Sequence, residues 1–192
     1  VVYTEKPDVG IFLKEWMSLI ESKSGERGIF NRMAAKKQVE KLGDRRDPNY
    51  SFGTNPCSEI ILRDAEFCNL TEVVIRPEDT PATLAEKVRL ATILGTWQAT
   101  LTNFRYLSKE WKKNCDEESL LGVSLTGIMD NAYTNDTKKF KDWPLSGTLN
   151  YLKNIAIETN KKVAKQLGIN PAAAITCVKP SGTVSQLVDA SS

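Results

Sequence analysis

Apolar residues recur at intervals of three and four in some windows of the chain and in short unbroken runs in others. From Val9 to Ser22 the apolar positions Ile11, Phe12, Trp16, Leu19 and Ile20 mark one face of an amphipathic helix. Ser24-Gly25-Glu26-Arg27-Gly28 predicts its end, with two glycines available for the exit. Ile29 to Arg32 reads as a short strand or turn, and Ala34 to Leu42 as a basic helical stretch stopped by Gly43. Residues 44–54 are polar and hold Pro48 and Gly53, which predicts a loop. Ile60-Ile61-Leu62 and Val73-Val74-Ile75 are apolar, β-branched-rich runs and predict strands. Thr80 before Pro81 predicts a helix N-cap with proline in the first turn. Leu84, Val88, Ala91, Ile93, Leu94, Trp97, Leu101, Phe104 and Leu107 carry that helix to about Ser108, with apolar surface enough to pack on more than one side.

Gly122-Val123-Ser124-Leu125-Thr126-Gly127 is a small-residue stretch that lets backbone approach backbone or ligand. Leu145 to Leu167 predicts a second long helix, stopped by Gly168 and followed by Pro171. Ala172 to Val178 reads as a buried strand, Lys179 to Ser185 as a turn, and Val184 to Val188 as the start of another helix. Strands alternate with long helices, so the fold class is α/β.

Composition narrows the function classes. Of 192 residues, 41% are hydrophobic and 26% charged, as in ordinary soluble globular proteins. A net charge of +2 gives no argument for nucleic acid or an anionic membrane as partner. No apolar run approaches the roughly 18 residues of a membrane span. Val1 to Lys6 lacks the basic-then-apolar order of a signal peptide. The missing initiator methionine and the uncapped end at Ser192 suggest a piece of a longer chain. There are four cysteines and no histidine, which disfavours zinc and, at this size, a disulfide scaffold; a reducing, cytoplasmic setting is expected. Without histidine, acid–base chemistry falls to carboxylates, thiols, lysines and tyrosines.

Asn55-Pro56-Cys57-Ser58-Glu59 is the most reactive-looking stretch. If it is extended, side-chain alternation puts Asn55, Cys57 and Glu59 on one face. Pro56 favours a loop tip over a mid-sheet strand. A cysteine taken alone is most often a small buried hydrophobe, and a glutamate most often solvated. Proline before the thiol and a carboxylate after it are poor company for mere packing. Cys68, in Phe67-Cys68-Asn69-Leu70, is either core or one half of a redox dithiol. Spacing alone does not make Cys57 its partner, since a disulfide needs Cα atoms roughly 4.4–6.8 Å apart. Acidic residues after Cys115 disfavour its thiolate, so it reads as structural or exposed. Cys177, in an apolar run, reads as core. Ser181-Gly182-Thr183 follows a predicted strand and opens a predicted helix, where backbone N–H groups and hydroxyls make an anion site. A plain strand-to-helix turn is the alternative, and Walker spacing is missing.

These stretches together resemble the catalytic subunit of ribonucleotide reductases, closest to the adenosylcobalamin-dependent (class II) ribonucleoside-triphosphate reductases. The segments that carry the resemblance are Ser24-Gly25-Glu26 with Gly28 to Asn31, Asn55 to Ile60, Phe67 to Leu70, Gly122 to Gly127, and Lys179 to Ser185. The resemblance implies a ten-stranded α/β barrel with a central finger loop, of which residues 1–192 are the central fragment. It implies that a second reducing cysteine lies upstream and tail thiols downstream, so that the fragment would not turn over alone. By the same resemblance Cys57 becomes a thiyl radical, Glu59 takes the ribose 3′-OH proton, and Asn55 holds the ribose hydroxyls. Cys68 becomes one of two thiols that reduce the 2′ position, while Ser181, Gly182, Thr183 and Val184 grip the substrate phosphates. The implied cofactor is adenosylcobalamin, held by no residue identifiable in this chain, with no other metal. The implied partners are a ribonucleoside triphosphate and an external dithiol reductant such as thioredoxin, with no nucleic acid and no membrane. Arg27 stands where proline is common in the family. The short Cys57–Cys68 spacing favours class II over class I. The alternatives are a class I ribonucleoside-diphosphate reductase large subunit and a nucleotide-binding regulatory module whose cysteines are all structural.

Overall fold

The computed structural model describes every residue except Glu26, Asp44 and Ser192. The chain forms two compact units, Val1–Asp64 and Ala65–Ser192.

In the first unit β1 (Val2–Tyr3) pairs in parallel with β2 (Phe30–Asn31), and α1 (Val9–Ser22) lies between them in sequence. Asp8 caps α1, its Oδ1 accepting from the N–H groups of Gly10 (2.8 Å) and Ile11 (3.2 Å). The helix bounds match the apolar spacing. Its stop does not: Lys23 takes the left-handed conformation at φ 48° and donates to the Ile20 carbonyl, so the exit precedes the glycines. Glu26, in the segment expected to end the helix, lies outside the described residues.

Asn31 caps α2 (Arg32–Glu40) by accepting from the Ala34 N–H at 3.0 Å, so this helix starts before Ala34. It ends ahead of Gly43, because the Lys41 N–H turns to the carbonyls of Gln38 and Val39. β3 (Gly53–Thr54) and β4 (Ile61–Leu62) form an antiparallel hairpin. Ala35, Val39 and Phe52 make the core beneath it, with Phe30 and Ile61 packed against them. The buried Arg46 guanidinium donates to the Ile61 carbonyl at 2.7 Å and lies 5.0 Å from the Phe52 ring centre.

The second unit is built on β5 (Asn69–Val74), α3 (Pro81–Gln98), α4 (Lys109–Glu118), β6 (Leu121–Thr126), α5 (Leu145–Leu167) and α6 (Thr183–Leu187). β5 and β6 are parallel, with Asn69 opposite Leu121 and Val74 opposite Thr126. The expected strand over 172–178 is an irregular edge. Thr176 bridges Val123, and backbone bonds run from the Val123 N–H to the Ile175 carbonyl (2.8 Å) and from the Cys177 N–H to the Val123 carbonyl (3.1 Å).

One face of this sheet packs on helices. Val73, Leu84, Val88, Ala91, Leu121, Val123, Leu152 and Ala156 are its buried core. Gly95 of α3 gives the close approach: a Cβ there would lie 3.1 Å from Leu121 and 3.5 Å from Thr71. Asn160 of α5 ties three elements together. Its amide donates to the Thr96 hydroxyl of α3 at 3.0 Å and its oxygen accepts from the Ala172 N–H at 2.8 Å.

The Thr80–Pro81 start of α3 is as expected, with a full capping box. Its end falls well short of Ser108. Thr92 and Thr96 bond back to helix carbonyls, and Thr100 and Leu101 turn onto Trp97 and Gln98. Leu94 and Trp97 are exposed, but α3 packs on both the β5–β6 sheet and α5, as its apolar surface predicts. α4 carries only Trp111 and Cys115 as apolar positions and leaves no periodic signal in the sequence.

Candidate functional site

The hairpin of β3 and β4 presents residues 55–60 as its loop. These residues are not extended. The Ser58 N–H donates to the Asn55 carbonyl at 3.0 Å, closing a turn with Pro56 and Cys57 at its centre, and Ser58 has φ 64°. Side-chain alternation therefore does not apply to Asn55, Cys57 and Glu59. The cause is local: proline presets the second turn position, and the asparagine side chain closes the loop. Asn55 Oδ1 accepts from the Ile60 N–H at 3.1 Å, which leaves its amide N–H groups to donate to a ligand. Phe52 and Ile60 are buried at the root, Glu59 is half-buried, and Cys57 is exposed at the tip. The loop-tip expectation for the thiol holds.

In the second unit, the sheet face opposite the helices carries Cys68, Leu70 and Glu72 by alternation along β5. Gly122 is on the same face of β6. A Cβ there would lie 2.5 Å from Leu70 Cδ2, 3.1 Å from Cys177 Sγ and 3.2 Å from Cys68 Sγ. The bare backbone of Gly122 thus gives room for two thiols arriving from the neighbouring chains. Cys177 is not core: it is half-buried on the face that holds Cys68. Ser124, next along this face, accepts from the Lys179 N–H at 3.0 Å and sits opposite Glu72 in the ladder. Burial pushes the Glu72 carboxyl up from its usual value, and the nearby Lys179 charge partly offsets this. The sequence reading missed Glu72, Ser124 and the placement of Cys177. Alternation from Cys68 along β5 and from Gly122 along β6 points to the first two. Cys115 is buried on α4 and accepts from the Phe67 N–H at 3.3 Å, a structural position.

The turn at 179–184 follows the irregular edge. Gly182, at φ 56° and ψ −120°, precedes the single short turn of α6 and takes a conformation that suits glycine. The Val184 N–H donates to the Ser181 carbonyl at 3.0 Å, and the Ser185 hydroxyl to the Gly182 carbonyl at 3.1 Å. The Ser181 hydroxyl is buried and has no hydrogen-bond partner among the described residues. It lines a cavity of about 210 Å³ with Thr126, Gly127 and Lys179. Arg76 anchors the far end of α6, donating to the carbonyls of Val188 (2.6 Å) and Asp189 (2.8 Å). Among the described residues no group of three or more His, Cys, Asp or Glu is placed to hold a metal ion. No described helix is long and apolar enough to cross a membrane.

The fold has a counterpart among solved structures. A crystal structure of a B12-dependent (class II) ribonucleotide reductase matches 80% of this chain and 23% of its own, with TM-score 0.57 and 24% identity, a likeness of fold. The curated homologues are adenosylcobalamin-dependent ribonucleoside-triphosphate reductases. That of Lacticaseibacillus paracasei is 28% identical over 91% of this chain and 26% of its own length. That of Lactobacillus helveticus is 30% identical over 88% of this chain and 25% of its own. A probable one from Dictyostelium discoideum is 26% identical over 87% of this chain and 21% of its own. The chain thus spans about a quarter of the length of the curated relatives it matches. No family-level sequence profile matches it.

Proposed function

We propose that residues 1–192 are the central part of the ten-stranded catalytic barrel of a cytoplasmic ribonucleotide reductase. The parent enzyme would reduce ribonucleoside triphosphates to 2′-deoxyribonucleoside triphosphates, with adenosylcobalamin as cofactor and a thioredoxin-type dithiol as final reductant. The observation that carries this reading is Cys57, exposed at the tip of a hairpin whose root is buried. An exposed thiol fits a cofactor that acts on it from outside the chain. When bound, that cofactor supplies the radical chemistry.

The chain's own residues then divide the work. The Cys57 thiyl radical takes the ribose 3′ hydrogen atom, and Glu59 takes the 3′-OH proton. Loss of that proton helps to expel the 2′-OH, which leaves as water with a proton from the Cys68 thiol, and Cys68 with a second thiol from outside this chain supplies the reducing equivalents. Asn55 Oδ1 is used in loop closure, so its N–H groups are the ones assigned to the ribose hydroxyls. Ser181, Gly182, Thr183 and Val184 receive the phosphates, with the buried Ser181 hydroxyl a donor in search of an acceptor.

The test restores the flanking sequence and measures triphosphate reduction with adenosylcobalamin and a dithiol. Activity is expected to require the cofactor and to fall to background in Cys57→Ser. Turnover without cobalamin would overturn the cofactor assignment and favour the class I reading. An active Cys57→Ser enzyme would overturn the radical assignment.

A further inference from the structure

We infer that Thr126 and Ser181 share a buried pocket for a phosphate oxyanion, which makes Thr126 a further binding residue for the substrate's phosphates. Thr126 is the last residue of β6 and is only 2% exposed. Its Oγ1 is buried and has no hydrogen-bond partner among the described residues, and the Ser181 Oγ is in the same position. Both residues line the cavity of about 210 Å³ at the end of β6. A buried hydroxyl left unpaired costs stability, so buried hydroxyls are ordinarily satisfied. Two such hydroxyls on one cavity are donors that lack a common acceptor. The cavity far exceeds the roughly 10–15 Å³ that one buried water requires, so it has room for a larger group.

β5 and β6 are parallel, and ligands of such sheets gather beyond the carboxyl ends of the strands. Thr126 stands at that end, opposite Val74. Directly after it Gly127, at φ 78°, turns the chain where a side chain would not fit: a Cβ there would lie 2.5 Å from the Ile75 carbonyl oxygen. Ser181 arrives on the turn after the edge segment, which is registered on β6 by the Thr176–Val123 bridge and by the Lys179 N–H on Ser124. The Gly127 N–H is given to the Ser191 carbonyl at 2.9 Å, so the hydroxyls rather than that amide are left for a ligand. Charge favours an anion. Lys179 lines the cavity, and no described lining residue is acidic. Glu72, the carboxyl on which the Lys179 charge acts, is not among the lining residues. A phosphate oxygen accepts from hydroxyls in charge-assisted bonds, which are stronger than neutral ones. That the oxyanion belongs to the substrate rests on the proposed function; the pocket itself does not.

The experiment titrates the 192-residue chain calorimetrically with inorganic tripolyphosphate, which carries the phosphates without a nucleoside. Thr126→Val should weaken binding about tenfold or more, as loss of a hydrogen bond to a charged group does. Thr126→Ser keeps the hydroxyl and should restore most of the affinity. No binding by the wild-type chain, unchanged binding by Thr126→Val, or binding by Thr126→Ser as weak as by Thr126→Val overturns the pocket. An NMR titration of the wild-type chain needs no variant: tripolyphosphate should shift the Thr126 methyl resonance, and an unmoved resonance overturns the pocket. In the enzyme with its flanks restored, Thr126→Val should raise KM for the ribonucleoside triphosphate by more than it lowers kcat. An unchanged KM beside weakened tripolyphosphate binding overturns the assignment to the substrate. A restored enzyme without turnover counts against the reductase reading alone, because tripolyphosphate binding needs no turnover.

Discussion

The loop around Cys57 and the sheet face around Cys68 are held in different ways. Two bonds that close the loop, from the Ser58 N–H to the Asn55 carbonyl and from the Ile60 N–H to Asn55 Oδ1, lie within residues 55–60. The sheet face is assembled from three chain segments far apart in sequence, with Lys179 donating to Ser124 across 55 positions. A thiol placed by local bonds should tolerate changes elsewhere. A thiol placed by a core should follow every change in that core.

Leu121→Ala tests this most severely. Leu121 is 2% exposed, and its loss should cost roughly 2–5 kcal/mol in a urea titration. Cys68 and Cys177 should then react much faster with a thiol reagent, while Cys57 keeps its rate. A Cys57 rate that rises in step would mean the loop is not locally determined.

Asp79→Asn strikes the same core from its edge. Burial pushes Asp79 up, but hydrogen bonds from Lys87, the Arg76 N–H and Thr83 outweigh it and hold the carboxyl below its usual value. The stability this gives is present above the unfolded carboxylate pKa of about 3.9 and is lost as pH falls through the lower folded value. Asp79→Asn should cost about 2–3 kcal/mol at neutral pH and remove that acid limb from a stability–pH curve.

Asn55→Ala should cost only about 1 kcal/mol, confined to the first unit, and should change the alkylation rate of Cys57 alone. Asn55→Asp keeps the acceptor for the Ile60 N–H and should restore the wild-type rate.

Glu72→Gln is the smallest effect and has the opposite sign. A carboxyl held above its usual value contributes stability that is full below the unfolded value and declines as pH rises through the folded one. Removing the charge should stabilise the second unit at neutral pH by less than about 1 kcal/mol, because the half-exposed side chain is screened by solvent. Destabilisation instead would mean that Lys179 outweighs burial.

What the sequence revealed follows the same division. α1 and α5 match their predicted bounds because apolar spacing and capping residues are local signals. The start of α3 was legible in Thr80 and Pro81, but its end was not, since threonine back-bonding and the turns at 99–102 compete with the apolar period. The tip position of Cys57 could be read from Pro56, yet alternation misplaced its neighbours because a turn replaced a strand. Cys177 was misread because its surroundings come from β6 and from the segment around Cys68, which no window around Cys177 contains.

The Asn160 bridge has a consequence in time as well as in space. Its oxygen receives the Ala172 N–H only when α5 is in place, and its amide meets Thr96 only when α3 is there too. The edge segment that carries Cys177 thus has one anchor that exists only once α5 is formed. Pulsed alkylation during refolding should find Cys177 protected later than Cys115. Protection of the two thiols in the same phase would mean that the Asn160 bridge does not order the two steps.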